Sequence, residues 1–390
     1  MESFYDELLE RGVSRREFLK YCGYVAALLG LSKSSALSIA TKIAGAAESG
    51  LIPALWINGG ACTGCTESIA QASGPNVADI VLDILSLNAV ETISMATGVY
   101  AEDATEATYK AHYEGRPYIL IYEGTVMTGL GGNVLRVADV PQTDHLEHLG
   151  SGAAAVIAMG TCAVDGGWVN AHPNPAGGTG VSNYLVSKGI STPVVNLPGC
   201  PINPLELVSV IVLALADDGS GLDLDAVVQS LDNYGRPRHL YSDTIHDRCP
   251  RRLFFEQGQF VYEFNSPEEA KGWCLYPLGC KGPRVHRHCP ELLWNNRESF
   301  CIDSGAPCIG CASLNWLDAS ESLSGPYRRG IFGNNNPAMM AVAAGAGAAA
   351  TLGAVGIGFG LGRMRSKKKQ EQEEPRRDVT EALTKEGGVQ

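Results

Sequence analysis

The sequence predicts an α/β protein: an open parallel sheet with helices on both faces, then a mostly irregular cysteine-rich domain, then one membrane-spanning helix. Three observations predict it. Short β-rich runs alternate with helical patterns from about residue 54 to residue 215, as expected of parallel strands joined by crossover helices. From His239 onward the chain turns irregular, rich in Pro, Arg and aromatic residues and poor in apolar runs. Near the end, Ile331 to Gly362 carries no charged residue, and a bilayer needs only about 20 apolar residues.

At 390 residues the chain is long enough for two domains with appendages. Its net charge of −12 leaves no basic face, which argues against nucleic acid as a partner.

The first element, residues 1–46, reads as a twin-arginine export signal. Ser14-Arg15-Arg16-Glu17-Phe18-Leu19-Lys20 precedes an apolar, Ala- and Gly-containing stretch that ends in Ala44-Gly45-Ala46, small residues of the kind found before a cleavage site. An amphipathic surface helix beginning at the Arg pair is the alternative. Twin-arginine export carries proteins already folded, so any cofactor is expected to be inserted first. Both ends of the chain are expected to stand apart from the fold.

Residues 50–235 form the sheet domain. Ala54 to Asn58, Tyr118 to Tyr122, Ala154 to Met159 and Val194 to Leu197 read as buried parallel strands; Val77 to Leu85, Glu102 to His112 and Pro204 to Leu215 read as helices. Cysteines fall just beyond three of those strands. Cys62 and Cys65 follow the first, in Gly60-Ala-Cys-Thr-Gly-Cys-Thr-Glu67; Cys162 follows the third, in Gly160-Thr-Cys-Ala-Val-Asp-Gly-Gly167; Cys200 follows the fourth, in Leu197-Pro-Gly-Cys-Pro201. The carboxyl ends of parallel strands lie along one sheet edge, so four thiolates converge there. A Cys-x-x-Cys alone also suits a redox dithiol or half of a zinc site. With two further cysteines at strand ends it favours a four-iron cluster, wrapped by Gly- and Pro-flanked loops.

Residues 236–325 hold the remaining candidate ligands: His246, Cys249, Cys274, Cys280, Cys289, Cys301, Cys308 and Cys311. Metal can organise a region whose apolar core is small. Cys308-Ile-Gly-Cys311, preceded by Pro307, is a second Cys-x-x-Cys. His246 stands three residues before Cys249, in a segment marked by Arg248 and Arg251; a lone histidine is more often a surface or satisfied core residue. The chain has twelve cysteines, and setting aside Cys22 in the export segment leaves eleven, which cannot all pair as disulfides. With His246 the candidates number twelve, enough for three groups of four.

The last elements are a membrane helix over 337–362 and a charged tail over 363–390. Arg363, Arg365 and Lys367 to Lys369 follow the uncharged run and would stay cytoplasmic by the positive-inside rule. The folded part is then expected on the periplasmic or extracellular side of a single-pass cell-membrane protein. Gly345, Ala349 and Gly353, like Gly356 and Gly360, recur at four-residue spacing, which suits close helix packing against a membrane partner. A flexible Gly/Ala linker is the alternative.

Taken together and in this order, these motifs resemble the small subunit of membrane-bound nickel-iron hydrogenases. The resemblance runs from about Pro53 to Asp318 and is carried by Trp56-Ile-Asn-Gly-Gly-Ala-Cys-Thr-Gly-Cys65, Asn174-Pro-Ala-Gly-Gly178, Asn196-Leu-Pro-Gly-Cys-Pro201, His246-Asp-Arg-Cys-Pro-Arg-Arg252 and Pro307-Cys-Ile-Gly-Cys311. It implies a flavodoxin-like first domain and an iron-sulfur second domain. It also implies a proximal 4Fe-4S cluster on Cys62, Cys65, Cys162 and Cys200, beside the nickel-iron centre of a separate large subunit. A distal 4Fe-4S cluster falls to His246, Cys249, Cys274 and Cys280, and a medial cluster to Cys289, Cys308 and Cys311.

At one position the chain departs from the commonest family pattern. Many members have a proline between the first and second medial cysteines and hold a 3Fe-4S cluster; here Phe300-Cys-Ile-Asp-Ser304 places Cys301. A fourth thiolate completes a 4Fe-4S cluster and lowers its potential; a free buried thiol beside a three-iron cluster is the other reading. Oxygen-tolerant relatives carry two extra cysteines near the proximal cluster, where this chain has Gly64 and Asn170, so the resemblance implies the oxygen-sensitive type. Glu67 matches a family carboxylate near that cluster, though a solvated helix-start Glu is as good an account.

No catalytic residue is expected on this chain, since its cysteines are taken up by clusters and no nickel ligand set is left. The resemblance implies an uptake hydrogenase in which the large subunit splits hydrogen and this subunit passes electrons through three clusters toward a membrane cytochrome b or another quinone-linked subunit. The alternative is a quinone-reductase subunit of the complex I type, which shares the first domain but has one cluster and no cysteine-rich second domain. A disulfide-stapled exported protein is a third reading, set against the odd cysteine count.

Overall fold

The computed structural model describes residues 14–32, 35–49, 52–72, 85–112, 114–216, 221–295 and 297–315, all within one unit of the chain. Five strands form the central sheet: β1 Pro53–Asn58, β2 Ser86–Val90, β3 Ile119–Glu123, β4 Ala155–Met159 and β5 Val194–Leu197. Their order is β2-β1-β3-β4-β5 and every pairing is parallel. This is the flavodoxin order, whose ligand crevice opens between β1 and β3 where the winding direction reverses. Four strands match the sequence expectation to within one residue. Strand β2 escaped it because this edge strand is largely half-buried or exposed and has no apolar run.

Helices flank the sheet: α1 Arg15–Leu28, α2 Ala36–Ser49, α3 Gly64–Ala70, α4 Val99–His112, α5 Gln142–Gly152, α6 Thr161–Asp165, α7 Val181–Ser187 and α8 Pro204–Ala214. Alternation along each strand builds two cores. Ala54, Trp56, Ile121, Ile157 and Val195 face α8, while Leu55, Ile57, Leu120, Val156 and Ala158 face α5 and α7. The expected helix Val77–Leu85 lies, except for Leu85, outside the described residues.

Helix α8 has a strong start signal: Pro204 at its first turn, and Asn203 and Glu206 in a reciprocal capping box. Nine of its eleven residues are buried, Glu206 among them. A helix so apolar all round needs cover on several sides. Part of that cover comes from the N-terminal segment, which sequence reasoning set apart from the fold. Phe18, Tyr21, Cys22 and Val25 of α1 and Ile39, Ala40 and Ile43 of α2 are buried in the same core as α8, and Lys42 Nζ donates to the Leu215 carbonyl at 3.1 Å.

From residue 236 to 315 the chain runs in short turns, one-turn helices and isolated bridges. A third small core, with Ile245, Val261, Leu275, Leu278, Val285, Phe300 and Ile302, encloses Cys289 and Cys308. The expected membrane helix over 337–362 and the tail over 363–390 lie outside the described residues. Among the described residues no helix is long and apolar enough to cross a membrane.

Candidate functional site

Three loops at the carboxyl ends of β1, β4 and β5 bring Cys62, Cys65, Cys162 and Cys200 together. The Cys65 thiol is pushed well up, by burial first and Glu123 next, with Cys200 and Cys162 also contributing. Burial likewise raises Cys162, which has Cys62 as a neighbour. Cys200 rises to about 11, by burial first and then through Cys311, Cys162 and Cys62. A thiol raised in this way is neutral when free, so a bound metal would be what holds it as thiolate.

The glycines around these sulfurs are sterically required at two positions. Gly160 has φ +89°, and a Cβ there would stand 2.7 Å from Cys65 Sγ; Gly167 has φ +47°, and its Cβ would stand 2.9 Å from Cys162 Sγ. The β4 and β5 loops are joined by Thr161 N–H donating to the Gly199 carbonyl at 2.9 Å.

Cys65 is held by a carboxylate that sequence reasoning missed. Thr63 stands just before helix α3 at its N-cap, and its side chain makes no cap hydrogen bond. Glu123, at the end of β3 and 2% exposed, supplies the cap from the neighbouring strand. Its oxygens accept from Cys65 N at 3.1 Å, Thr66 N at 3.3 Å, Thr66 Oγ1 at 2.5 Å and Trp56 Nε1 at 3.3 Å. The only hint in the sequence was a carboxylate closing an apolar strand. Glu67, the carboxylate singled out by motif, is exposed on α3.

Cys289, Cys301, Cys308 and Cys311 line one cavity of about 580 Å³, together with Cys200 and Gly64 from the sheet edge. Cys289 is pushed up to about 12, by burial first, with Arg287 opposing and Cys311, Glu206 and Cys301 adding to it. Cys308 is buried and its thiol is pushed well up by burial, with Cys280, Cys311 and Cys289 adding to it. Cys301 is the most open of the four. Its thiol is also raised, by burial first and Cys311 second.

The other group is His246, Cys249, Cys274 and Cys280, which surround a small enclosed space with Arg251, Tyr276 and Gly282. Burial raises Cys274 to about 11, with Cys280 and Cys249 as neighbours. His246 sits in a one-turn helix capped by Thr244 and Asp247, and its ring packs edge-on against Phe255 at 4.6 Å. Burial first, then Arg252, holds its imidazole below the usual range.

The three groups abut in sequence. Cys200 of the first neighbours Cys311 of the second, and the Thr161 hydroxyl donates to the Cys311 carbonyl. Cys301 and Cys308 of the second neighbour Cys280 of the third, and Lys281 N donates to the Cys308 carbonyl at 2.7 Å. Among the described residues no three His, Cys, Asp or Glu converge where a single metal ion could sit. Thiols that line a cavity, as Cys289, Cys301, Cys308 and Cys311 do, suit a group with several metal atoms and thiolate ligands. Cys22 stands apart, fully buried in α1 and pushed up to about 12 by burial.

Residues 62–214 match the family described as NADH ubiquinone oxidoreductase, 20 Kd subunit. Residues 241–324 match the family described as the C-terminal part of the NiFe/NiFeSe hydrogenase small subunit. The periplasmic NiFe hydrogenase small subunit 1 of Nitratidesulfovibrio vulgaris is 36% identical over 317 residues, covering 81% of this chain and 95% of that protein. The uptake hydrogenase small subunit of Azotobacter vinelandii is 38% identical over 320 residues, covering 82% and 84%. Among solved structures, the recombinant NiFeSe hydrogenase of Desulfovibrio vulgaris Hildenborough superposes with a TM-score of 0.62 at 33% identity, covering 71% of this chain and 97% of that one.

Proposed function

The chain belongs to the small-subunit family of NiFe hydrogenases, the electron-transfer half of a heterodimeric enzyme, and from that membership we propose a specific wiring. Cys62, Cys65, Cys162 and Cys200 hold a proximal 4Fe-4S cluster. Cys289, Cys301, Cys308 and Cys311 hold a medial 4Fe-4S cluster, and His246, Cys249, Cys274 and Cys280 hold a distal one. When bound, such clusters supply one-electron steps between the partner's nickel-iron centre and an acceptor. The observation that carries this reading is that the groups adjoin in order: Cys200 lines the same cavity as Cys311, and Lys281 N, next to Cys280, donates to the Cys308 carbonyl at 2.7 Å.

The residues divide the remaining work. Glu123 orients the turn that presents Cys65. Exposed apolar side chains in the segments that follow β2, β3 and β4, namely Ile93, Met95, Val99, Tyr100, Leu130 and Trp168, favour this sheet edge as the surface for the large subunit. Gly64 and Asn170, in place of extra cysteines, support the oxygen-sensitive type.

We further infer export and anchoring. The Arg15-Arg16 motif supports twin-arginine export, and the uncharged run over 337–362 with its basic flank supports a single membrane span with the folded domain outside. A cytochrome b or other quinone-linked membrane subunit would then accept the electrons, as an uptake hydrogenase requires. The names of the relatives, periplasmic in one and uptake in another, agree with this placement. The match of residues 62–214 keeps the quinone-reductase reading in view, but eight further candidate ligands from His246 to Cys311 have no place in it.

Electron paramagnetic resonance with iron and sulfide analysis on the purified heterodimer tests the wiring. Three 4Fe-4S clusters give about 12 irons on this subunit beyond the partner's own metal. A count near eight overturns the three-cluster reading, and an oxidised three-iron signal removes Cys301 from the ligands.

A further inference from the structure

Arg287 and Glu206 form an ion pair almost wholly shut off from water, their side chains 1% and 0% exposed. Arg287 donates from Nε to Glu206 Oε1 and from Nη2 to Glu206 Oε2, each at 2.7 Å. Nη2 also donates to the Pro201 carbonyl at 3.1 Å, and the guanidinium lies 5.0 Å from the centre of the Trp294 ring. The remaining end, Nη1, stands 4.0 Å from Cys311 Sγ. Glu206 is itself held by the Asn203 N–H at 2.8 Å. A Cβ at Gly199 would fall on the guanidinium, so the loop carrying Cys200 is shaped around this cation.

A bidentate fork fixes direction as well as distance. Two of the three guanidinium nitrogens are committed to Glu206, which leaves Nη1 aimed at Cys311. We propose that Arg287 is a positioning residue for electron transfer, raising the reduction potential of the cluster held by Cys311, with Glu206 fixing its orientation; this rests on the medial ligand set proposed above.

A cluster held by Cys311 would lie between the Cys200 side and the Cys280 side, so its reduction would be a one-electron exchange with a neighbouring cluster, with no bond made or broken. The reduced cluster carries one more negative charge, and a guanidinium that stays protonated in proteins stabilises it. An N–H directed at a thiolate sulfur acts in the same direction. The fourth thiolate, Cys301, acts in the opposite one. The cation therefore offsets the fall in potential that a four-thiolate medial cluster would otherwise show.

The test is a redox titration of the purified heterodimer followed by electron paramagnetic resonance, with the distal cluster as internal reference. Arg287→Met and Arg287→Gln, which each remove the positive charge beside Cys311, should lower the medial potential. Each shift should correspond to at least a tenfold change in the reduction equilibrium, about 59 mV for one electron. Arg287→Lys should retain most of the wild-type value. If Arg287→Met does not fold, the downward shift in Arg287→Gln carries the test. An unmoved medial potential in the neutral variants, or an equal fall in Arg287→Lys such as mere loosening would produce, overturns the proposal. A three-iron signal in the wild type overturns the Cys301 assignment alone, because the Arg287 shift is read on whichever cluster Cys311 holds. A protein with no cluster at Cys311 overturns both.

Discussion

Cys301 lines one cavity with Cys311, Cys289 and Cys308, and its thiol is raised by burial first and by Cys311 second. The position at which the chain departs from the commonest family pattern therefore lines the same cavity as three other cysteines.

Cys301→Pro is expected to convert the medial site to a three-iron cluster. An oxidised three-iron resonance should appear and the iron content should fall by about one per heterodimer. Because Cys301 is the most open of the four cysteines, the thermal midpoint should change little. Unchanged iron and no new resonance would show that this thiol is not a ligand.

Gly160→Ala should cost the proximal site. Its φ of +89° and a Cβ 2.7 Å from Cys65 Sγ leave no room for a methyl group. Iron should drop by about four per heterodimer, with loss of the proximal resonance. Gly258→Ala is the control, having φ +69° with nothing within 4 Å, and should cost only about 1 kcal/mol.

Glu123→Ala strands the donors of Cys65, Thr66 and Trp56 in a buried place. At about 1 to 3 kcal/mol for each unmet group, the loss should reach about 3 kcal/mol or more, seen as a thermal midpoint lower by about 6 °C or more. Glu123→Gln, which keeps one acceptor oxygen, should lose less. Equal midpoints for wild type and Glu123→Ala would refute the capping role.

His239 is expected to set an acid limb of stability. Burial first, then His288, lowers its folded imidazole from 6.5 to about 4, and its Nε2 lies 3.2 Å from Ser209 Oγ. The unfolded chain binds the proton more tightly, so stability is complete above about pH 6.5 and falls as pH drops toward 4, by about 3 kcal/mol in all. His239→Gln should flatten that limb in denaturant midpoints measured against pH. Parallel curves for the two proteins would exclude His239 as its source.

Replacing Arg15 and Arg16 together by Lys should leave the heterodimer assembled but keep it in the cytoplasm, as read by cell fractionation. Undiminished export would remove the twin-arginine reading of this segment, whose helix packs on α8 and would then be an ordinary part of the fold.

Much of the architecture was legible because it is written locally. Four strands, the Pro204 helix start and every Gly-flanked cysteine loop follow from runs of a few residues. Strand β2 was not legible, since its half-exposed residues owe their state to the partner strand β1. Nor was the burial of α1 and α2 against α8, since an apolar segment suits a detachable signal and a core helix equally well.

The sequence by itself determined the sheet domain, the inventory of candidate ligands and the exceptional Cys301, because periodicity and motif spacing are properties of the chain. Only the tertiary structure decided which thiols become neighbours, that Cys200 meets Cys311 and Cys308 meets Cys280, and that Glu123 and Arg287 stand beside the sulfurs. Those relations join segments far apart in the chain, and packing of the irregular domain against the sheet edge is what brings them within reach of one another.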